Sequence, residues 1–185
     1  MLIKESETVE IKTKEHPWVS RGGMKLDHAL KYFKISVKEK TCIDVGASTG
    51  GFTDVLLTNN ADKVYAVDVG YGQLAVKLQK DTRVIVLDRT NARNLDKEII
   101  RDKIDCIVCD ASFIGLDKVL PAALEMAEKE AVLVALIKPQ FEVKKEQVEK
   151  GGLVTNPQLH KEVCDKVNKW LESKNWKVMG VTESL

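Results

Sequence analysis

Asp44-Val-Gly-Ala-Ser-Thr-Gly-Gly-Phe-Thr-Asp54 closes the apolar run Thr41-Cys-Ile-Asp-Val45 and opens a helix-compatible segment. Read locally, it is a strand end, a glycine-rich turn and a helix start. In α/β folds that is where a nucleoside cofactor binds. Gly46, Gly50 and Gly51 let the main chain take dihedrals closed to other residues and let a ligand approach the backbone, while the helix start offers unpaired N–H groups.

Working outward, strand-like segments recur at Thr41–Val45, Lys63–Val69, Arg83–Leu87, Asp105–Cys109 and Ala131–Ile137, with helical segments between most of them. Their Val/Ile runs are continuous, as expected of parallel strands buried on both faces. The spacing predicts an amphipathic helix over Met24–Ile35, on Leu26, Ala29, Leu30 and Phe33, and a helix from Pro157 to Ser173 with Asn156 as its N-cap. A last strand is expected over Trp176–Val181, and a short exposed one over residues 7–14, where apolar and charged residues alternate. The fold class is therefore α/β: a mostly parallel, doubly wound, Rossmann-like sheet flanked by helices.

A chain of 185 residues, 44% hydrophobic and 31% charged, suits one soluble α/β domain with a sizeable core. The longest apolar run, Ala131–Ile137, falls far short of the roughly 18 residues that span a bilayer, and no apolar signal region opens the chain, so a cytoplasmic protein without membrane contact is expected. Cys42, Cys106, Cys109 and Cys164 read as buried thiols. Cys106 and Cys109 have half a zinc motif's spacing, but strand residues three apart face opposite ways and no second ligand pair follows, so no metal is expected. The net charge of +1 conceals basic clusters at Lys12–Lys40 and Lys138–Lys150, which fit solvated helix faces or a phosphate backbone.

Asp68 follows the second strand about twenty residues past the turn, where a doubly wound fold places an acid against a ribose. Asp88 and Asp110 follow the third and fourth strands, so several carboxylates are expected to line one crevice. Gly46-Ala-Ser48-Thr-Gly50 also fits the hydrolase pattern G-x-S-x-G, with His160 downstream, but several strands should precede such an elbow and here only the first core strand does. Dehydrogenase use is disfavoured because Ser48 stands at the second glycine of G-x-G-x-x-G.

Val19-Ser-Arg-Gly-Gly-Met-Lys-Leu26, the glycine turn, Asp88-Arg-Thr-Asn-Ala-Arg93, Asp110-Ala-Ser-Phe113, Lys138-Pro-Gln-Phe-Glu142 and Lys150-Gly-Gly-Leu-Val154 together resemble, in order and spacing, the TlyA/hemolysin A family of FtsJ-like RNA methyltransferases. The resemblance covers residues 7–185. It implies a Rossmann-like fold that uses S-adenosyl-L-methionine and methylates a ribose 2′-hydroxyl of ribosomal RNA at cytidine. It also implies that Asp44, Gly46, Ser48, Gly50, Gly51, Phe52 and Thr53 form the methionine side of the cofactor site, with Asp68 on the ribose and Asp88 and Asn91 on the adenine. The family's Lys-Asp-Lys-Glu set maps in three members onto Lys25, Asp110 and Lys138. Lys138 is expected to act as base, Asp110 to orient its amine, and Lys25 to place the substrate; Arg21, Lys25, Lys144 and Lys145 are expected to form an RNA-binding rim.

By the same resemblance, residues 1–18 read as the remnant of an S4 RNA-binding domain and linker, and residues 19–185 as a methyltransferase domain lacking its last strand. That strand bears the fourth catalytic residue, a glutamate, so the chain is expected to be part of a longer protein. Glu183 precedes the family position and reads as a surface acid. Three other functions compete: a cytolysin, as the family name suggests; a non-catalytic module that binds S-adenosylmethionine or RNA; and a small-molecule methyltransferase, which needs no basic rim.

Overall fold

The computed structural model describes residues 16–185; the strand expected over residues 7–14 and most of the proposed S4 remnant lie outside them. Five strands form one sheet: β1 (Thr41–Val45), β2 (Lys63–Val67), β3 (Val84–Leu87), β4 (Ile104–Cys109) and β5 (Ala127–Ala135). Their order is β3-β2-β1-β4-β5, with every pair parallel. The chain winds outward from β1 to β3, then crosses back to place β4 on the other side of β1. The strand order thus reverses between β1 and β4, and the crevice opens beyond Val45 and Cys109.

Helices cover both faces. On one side lie α1 (Gly22–Tyr32), α2 (Gly51–Thr58) and α3 (Val76–Gln79), whose Leu26, Leu30, Phe52, Val55, Leu56 and Leu78 pack with Cys42, Val64 and Val108 from the sheet. On the other lie α4 (Leu116–Val119), α5 (Pro121–Glu125) and the long α7 (Pro157–Ser173), packed on Ile43, Val45, Ile107 and Cys109. Cys106 belongs to the first face and Cys109 to the second, the opposition that strand pleating requires. A short α6 (Pro139–Glu142) follows β5.

Most elements fall where their residues place them. The α7 boundaries match those read from Asn156-Pro157, and the Asn156 side chain accepts from the Gln158 N–H at 2.9 Å. α1 instead begins two residues earlier than its apolar spacing indicates, across Gly22 and Gly23. Packing outweighs the low helix propensity of glycine there, because a Cβ on Gly23 would lie 2.5 Å from Trp18 Cγ.

The expected strand at Trp176–Val181 is not formed. Residues 176–185 carry no ladder hydrogen bonds, and β5 pairs with β4 alone among the described residues. A β-compatible sequence becomes a strand only when a neighbour supplies donors and acceptors. Trp176 instead packs against the second-face core, and Gly180 lies against Phe33. No helix among the described residues is long and apolar enough to cross a membrane.

Candidate active site

The glycine turn is built from below. Gly46 and Ala47 donate to the Val67 carbonyl at 2.9 and 3.1 Å, which ties the turn to the end of β2. Gly46 has φ +81°, and a Cβ there would lie 2.9 Å from Ala111 Cα, so the turn approaches the loop after β4 as closely as backbone allows. Ser48 at φ +49° and Gly50 at φ +95° continue the left-handed path into α2.

Beneath this turn lies Asp44, with no exposed surface. Its Oδ2 accepts from the Thr53 N–H at 2.9 Å and the Thr53 hydroxyl at 2.7 Å, whereas its Oδ1 is buried without a hydrogen-bond partner. Burial pushes the carboxyl up to about 7, with Asp110 and Asp68 adding repulsion and the Thr53 donors pulling the other way. Asp44 and Thr53, both expected at the cofactor, therefore sit under the turn rather than on its open side.

α1 is held close to α2. A Cβ on Gly51 would meet Ser20 Oγ at 2.4 Å and the Gly23 nitrogen at 2.8 Å. The carboxylate of Asp54, 8% exposed, accepts from the Val19 N–H at 2.8 Å and pairs with Lys77 at 2.8 Å, which fixes the segment leading into α1. Two turns of chain then bring Lys25 to the end of β4.

There Asp110 lies between two lysines. Lys138 Nζ is 2.7 Å from Asp110 Oδ1, and Lys25 Nζ is 3.9 Å from Asp110 Oδ2. Lys138 also donates to the Asp110 carbonyl at 3.0 Å and to Ser112 Oγ at 2.8 Å. The Lys138 and Asp110 side chains are about one-fifth exposed and that of Lys25 about one-third, so the cluster is shielded yet open to a ligand.

One cavity of about 680 Å³ joins these parts; its lining includes Arg21, Lys25, Gly46, Ser48, Gly51, Phe52, Asp110, Ser112 and Lys138. Asp68, Asp88 and Asn91 stand outside that lining. Asp68 accepts from the Ser48 N–H at 2.8 Å and the Gly70 N–H at 2.7 Å, and Asp88 from the Gly72 N–H at 2.8 Å. Asn91 caps the 3-10 turn at Ala92–Asn94. Lys144 and Lys145 are exposed but away from this cavity; Lys144 borders a smaller groove against α7. Among the described residues, Arg21, Lys25 and Lys138 thus line this cavity and Lys144 and Lys145 do not.

Ser112 and Phe113 were legible only as parts of a motif. Ser112 touches Lys138, and Phe113, 90% exposed at φ +66°, lies beside Phe141 at 5.2 Å between ring centroids. A bulky residue in that backbone region is uncommon and was the signal available, but it appears only in three dimensions. His160 does not approach Ser48: its ring hydrogen-bonds the Val154 carbonyl, so no hydrolase pair forms. Among the described residues no cluster of His, Cys, Asp and Glu could hold a metal ion.

Comparison with known proteins identifies the family. The family model for FtsJ-like methyltransferases matches residues 18–185. The TlyA 16S/23S rRNA (cytidine-2′-O)-methyltransferase of Mycobacterium tuberculosis is 51% identical over 92% of this chain, and this chain spans 63% of its length. Hemolysin A of Brachyspira hyodysenteriae is 43% identical over 88% of this chain and is 68% covered by it. A solved structure from Streptococcus thermophilus, named as a hemolysin, superposes with a TM-score of 0.89 at 40% identity, over 94% of this chain and 63% of that one.

Proposed function

The chain belongs to the FtsJ-like methyltransferase family, and from that premise we propose that it transfers a methyl group from S-adenosyl-L-methionine to a cytidine ribose 2′-hydroxyl of ribosomal RNA, in the cytoplasm. The observation that carries this reading is Lys25, Asp110 and Lys138 gathered beside the glycine turn on one cavity. A ribose hydroxyl is a weak nucleophile, and such a cluster offers both a base and a means of holding it in line.

The residues fit the cofactor by their chemistry. Asp68, Asp88 and Asp110 follow β2, β3 and β4 at the end of the sheet that holds the turn. Carboxylates placed there suit a ligand carrying an ammonium and a sulfonium. Gly46, Ser48, Gly51 and Phe52, which line the cavity, would hold its methionine part, and Gly50, packed against Leu74 and Leu78, would shape the turn. The carboxylate oxygens of Asp68 and Asp88 keep lone pairs free for ribose hydroxyls and, with Asn91, the adenine. Asp44 and Thr53 would act from beneath by fixing the turn.

When bound, S-adenosylmethionine supplies an electrophilic methyl group on sulfur. Lys138 would take the proton of the ribose hydroxyl at Nζ while Asp110 keeps that amine aimed. Lys25, whose one ion pair among the described residues is the long contact to Asp110, would offer its donors to the substrate. The exposed ring of Phe113 offers a face on which an unstacked base can lie, and Arg21 a phosphate contact.

The test is transfer of labelled methyl to ribosomal RNA, followed by nuclease digestion and mass spectrometry. We expect the label on cytidine 2′-oxygen and a loss of about 10²-fold or more in Lys138→Met. Label on a base, or full activity in that variant, would refute the reading.

A further inference from the structure

The hydrogen bonds of Lys138 assign a role to Ser112. An ammonium has three N–H donors and no lone pair; Lys138 donates to Ser112 Oγ at 2.8 Å and to the Asp110 carbonyl at 3.0 Å, and it ion-pairs at 2.7 Å with Asp110 Oδ1, an oxygen that accepts no hydrogen bond among the described residues. As an ammonium it has no lone pair with which to accept a proton. A base needs one N–H direction emptied.

The three partners differ in what they allow. The carboxylate and carbonyl of Asp110 are acceptors only, so each favours an N–H and repels a lone pair on Lys138. A serine hydroxyl accepts or donates and rotates freely about its C–O bond. The direction that alternates between N–H and lone pair is therefore the one toward Ser112. Ser112 is exposed and borders the same cavity as Lys25, Gly46 and Asp110, so this direction also faces the space a substrate would fill. The left-handed backbone of Phe113 turns the chain immediately after it.

We propose that Ser112 is the positioning residue that lets Lys138 alternate between base and ammonium. Before each transfer one Lys138 N–H proton leaves to solvent through the open cavity, and the Ser112 hydroxyl then turns aside while a substrate hydroxyl donates to the lone pair so formed. The substrate O–H bond then breaks, and its proton forms the third N–H bond of Lys138. The electron pair left on oxygen makes the new bond to the methyl carbon, and the carbon–sulfur pair departs on sulfur. Ser112 Oγ afterwards accepts the new N–H, which gives the arrangement seen here. This assignment rests on the methyltransferase reading above.

The intact protein should be compared as wild type, Ser112→Ala, Ser112→Thr and Lys138→Met. Ser112→Ala is expected to lower kcat about tenfold or more with KM for RNA and calorimetric affinity for S-adenosylmethionine unchanged, and Ser112→Thr to restore most of the rate. Independently, the ¹⁵N signal of the Lys138 side chain, identified by its loss in Lys138→Met, should exchange with water faster in Ser112→Ala than in wild type. An unchanged kcat in Ser112→Ala, a loss that threonine fails to recover, or an identical Lys138 signal in both proteins would overturn the assignment. A wild type that binds RNA and cofactor yet transfers no methyl would instead defeat the methyltransferase reading, whatever the lysine signal does.

Discussion

Replacing Asp44 with asparagine should change how the stability of the fold depends on pH. Asp44 has no exposed surface, and burial holds its carboxyl at about 7 against an ordinary 3.8. Across that interval the folded chain keeps a proton that the unfolded chain has released, so stability falls as pH rises. The contribution is fully present below about pH 4 and lost above about pH 7. At about 1.36 kcal/mol per unit, the difference of 7 − 3.8, or about 3 units, amounts to about 4 kcal/mol. In Asp44→Asn the oxygen can still accept from both Thr53 donors. Its amide nitrogen replaces Oδ1, which has no partner, and an unsatisfied buried donor costs about 1–3 kcal/mol at every pH. Wild type should therefore be the more stable protein in acid, and the two should draw together or cross near neutrality. Urea unfolding between about pH 5 and pH 8 measures this: the difference between them should shift by about 3 kcal/mol, two units of that titration. A difference that stays constant over the range would show that Asp44 is not the buried acid described here.

Gly51→Ala should cost about 1–3 kcal/mol in thermal unfolding, because its Cβ would press on Ser20 Oγ and the backbone of Gly23; an unchanged Tm would contradict the close α1–α2 contact. Asp68→Ala should abolish or strongly weaken calorimetric binding of S-adenosylmethionine, since the ribose partner and the tie to Ser48 N–H go together; wild-type affinity would move the ribose site elsewhere. Charge reversal at Arg21 should weaken RNA binding and lower its salt slope by about one. The same change at Lys144 and Lys145 tests whether RNA extends to the α7 side, away from the main cavity; an unaltered slope would confine the RNA to the Arg21 face.

Much of the fold was legible because it depends on local chemistry. Continuous Val/Ile runs mark parallel strands covered on both faces, Asn156-Pro157 starts α7, and the glycines after Val45 require a turn that other residues cannot make. The acids after β2, β3 and β4 could be placed at one sheet end for the same reason. The order of motifs then singled out Lys25, Asp110 and Lys138, although 85 residues of chain separate the first from the second.

Sequence by itself determined the strand and helix types and the site of the glycine turn, since periodicity and backbone freedom are properties of neighbouring residues, while the family resemblance pointed to the two lysines and the aspartate proposed for catalysis. Only the tertiary structure decided which of those residues meet. Asp44 lies under the turn because the Thr53 donors and the sheet enclose it, and Lys144 and Lys145, which follow α6, do not line the main cavity. Among the described residues, Trp176–Val181 carries no ladder hydrogen bonds, although β5 keeps an open edge, and Trp176 packs against the second-face core instead. Ser112 meets Lys138 because β4 and β5 run side by side and end together, so that chain 26 residues apart arrives within 2.8 Å.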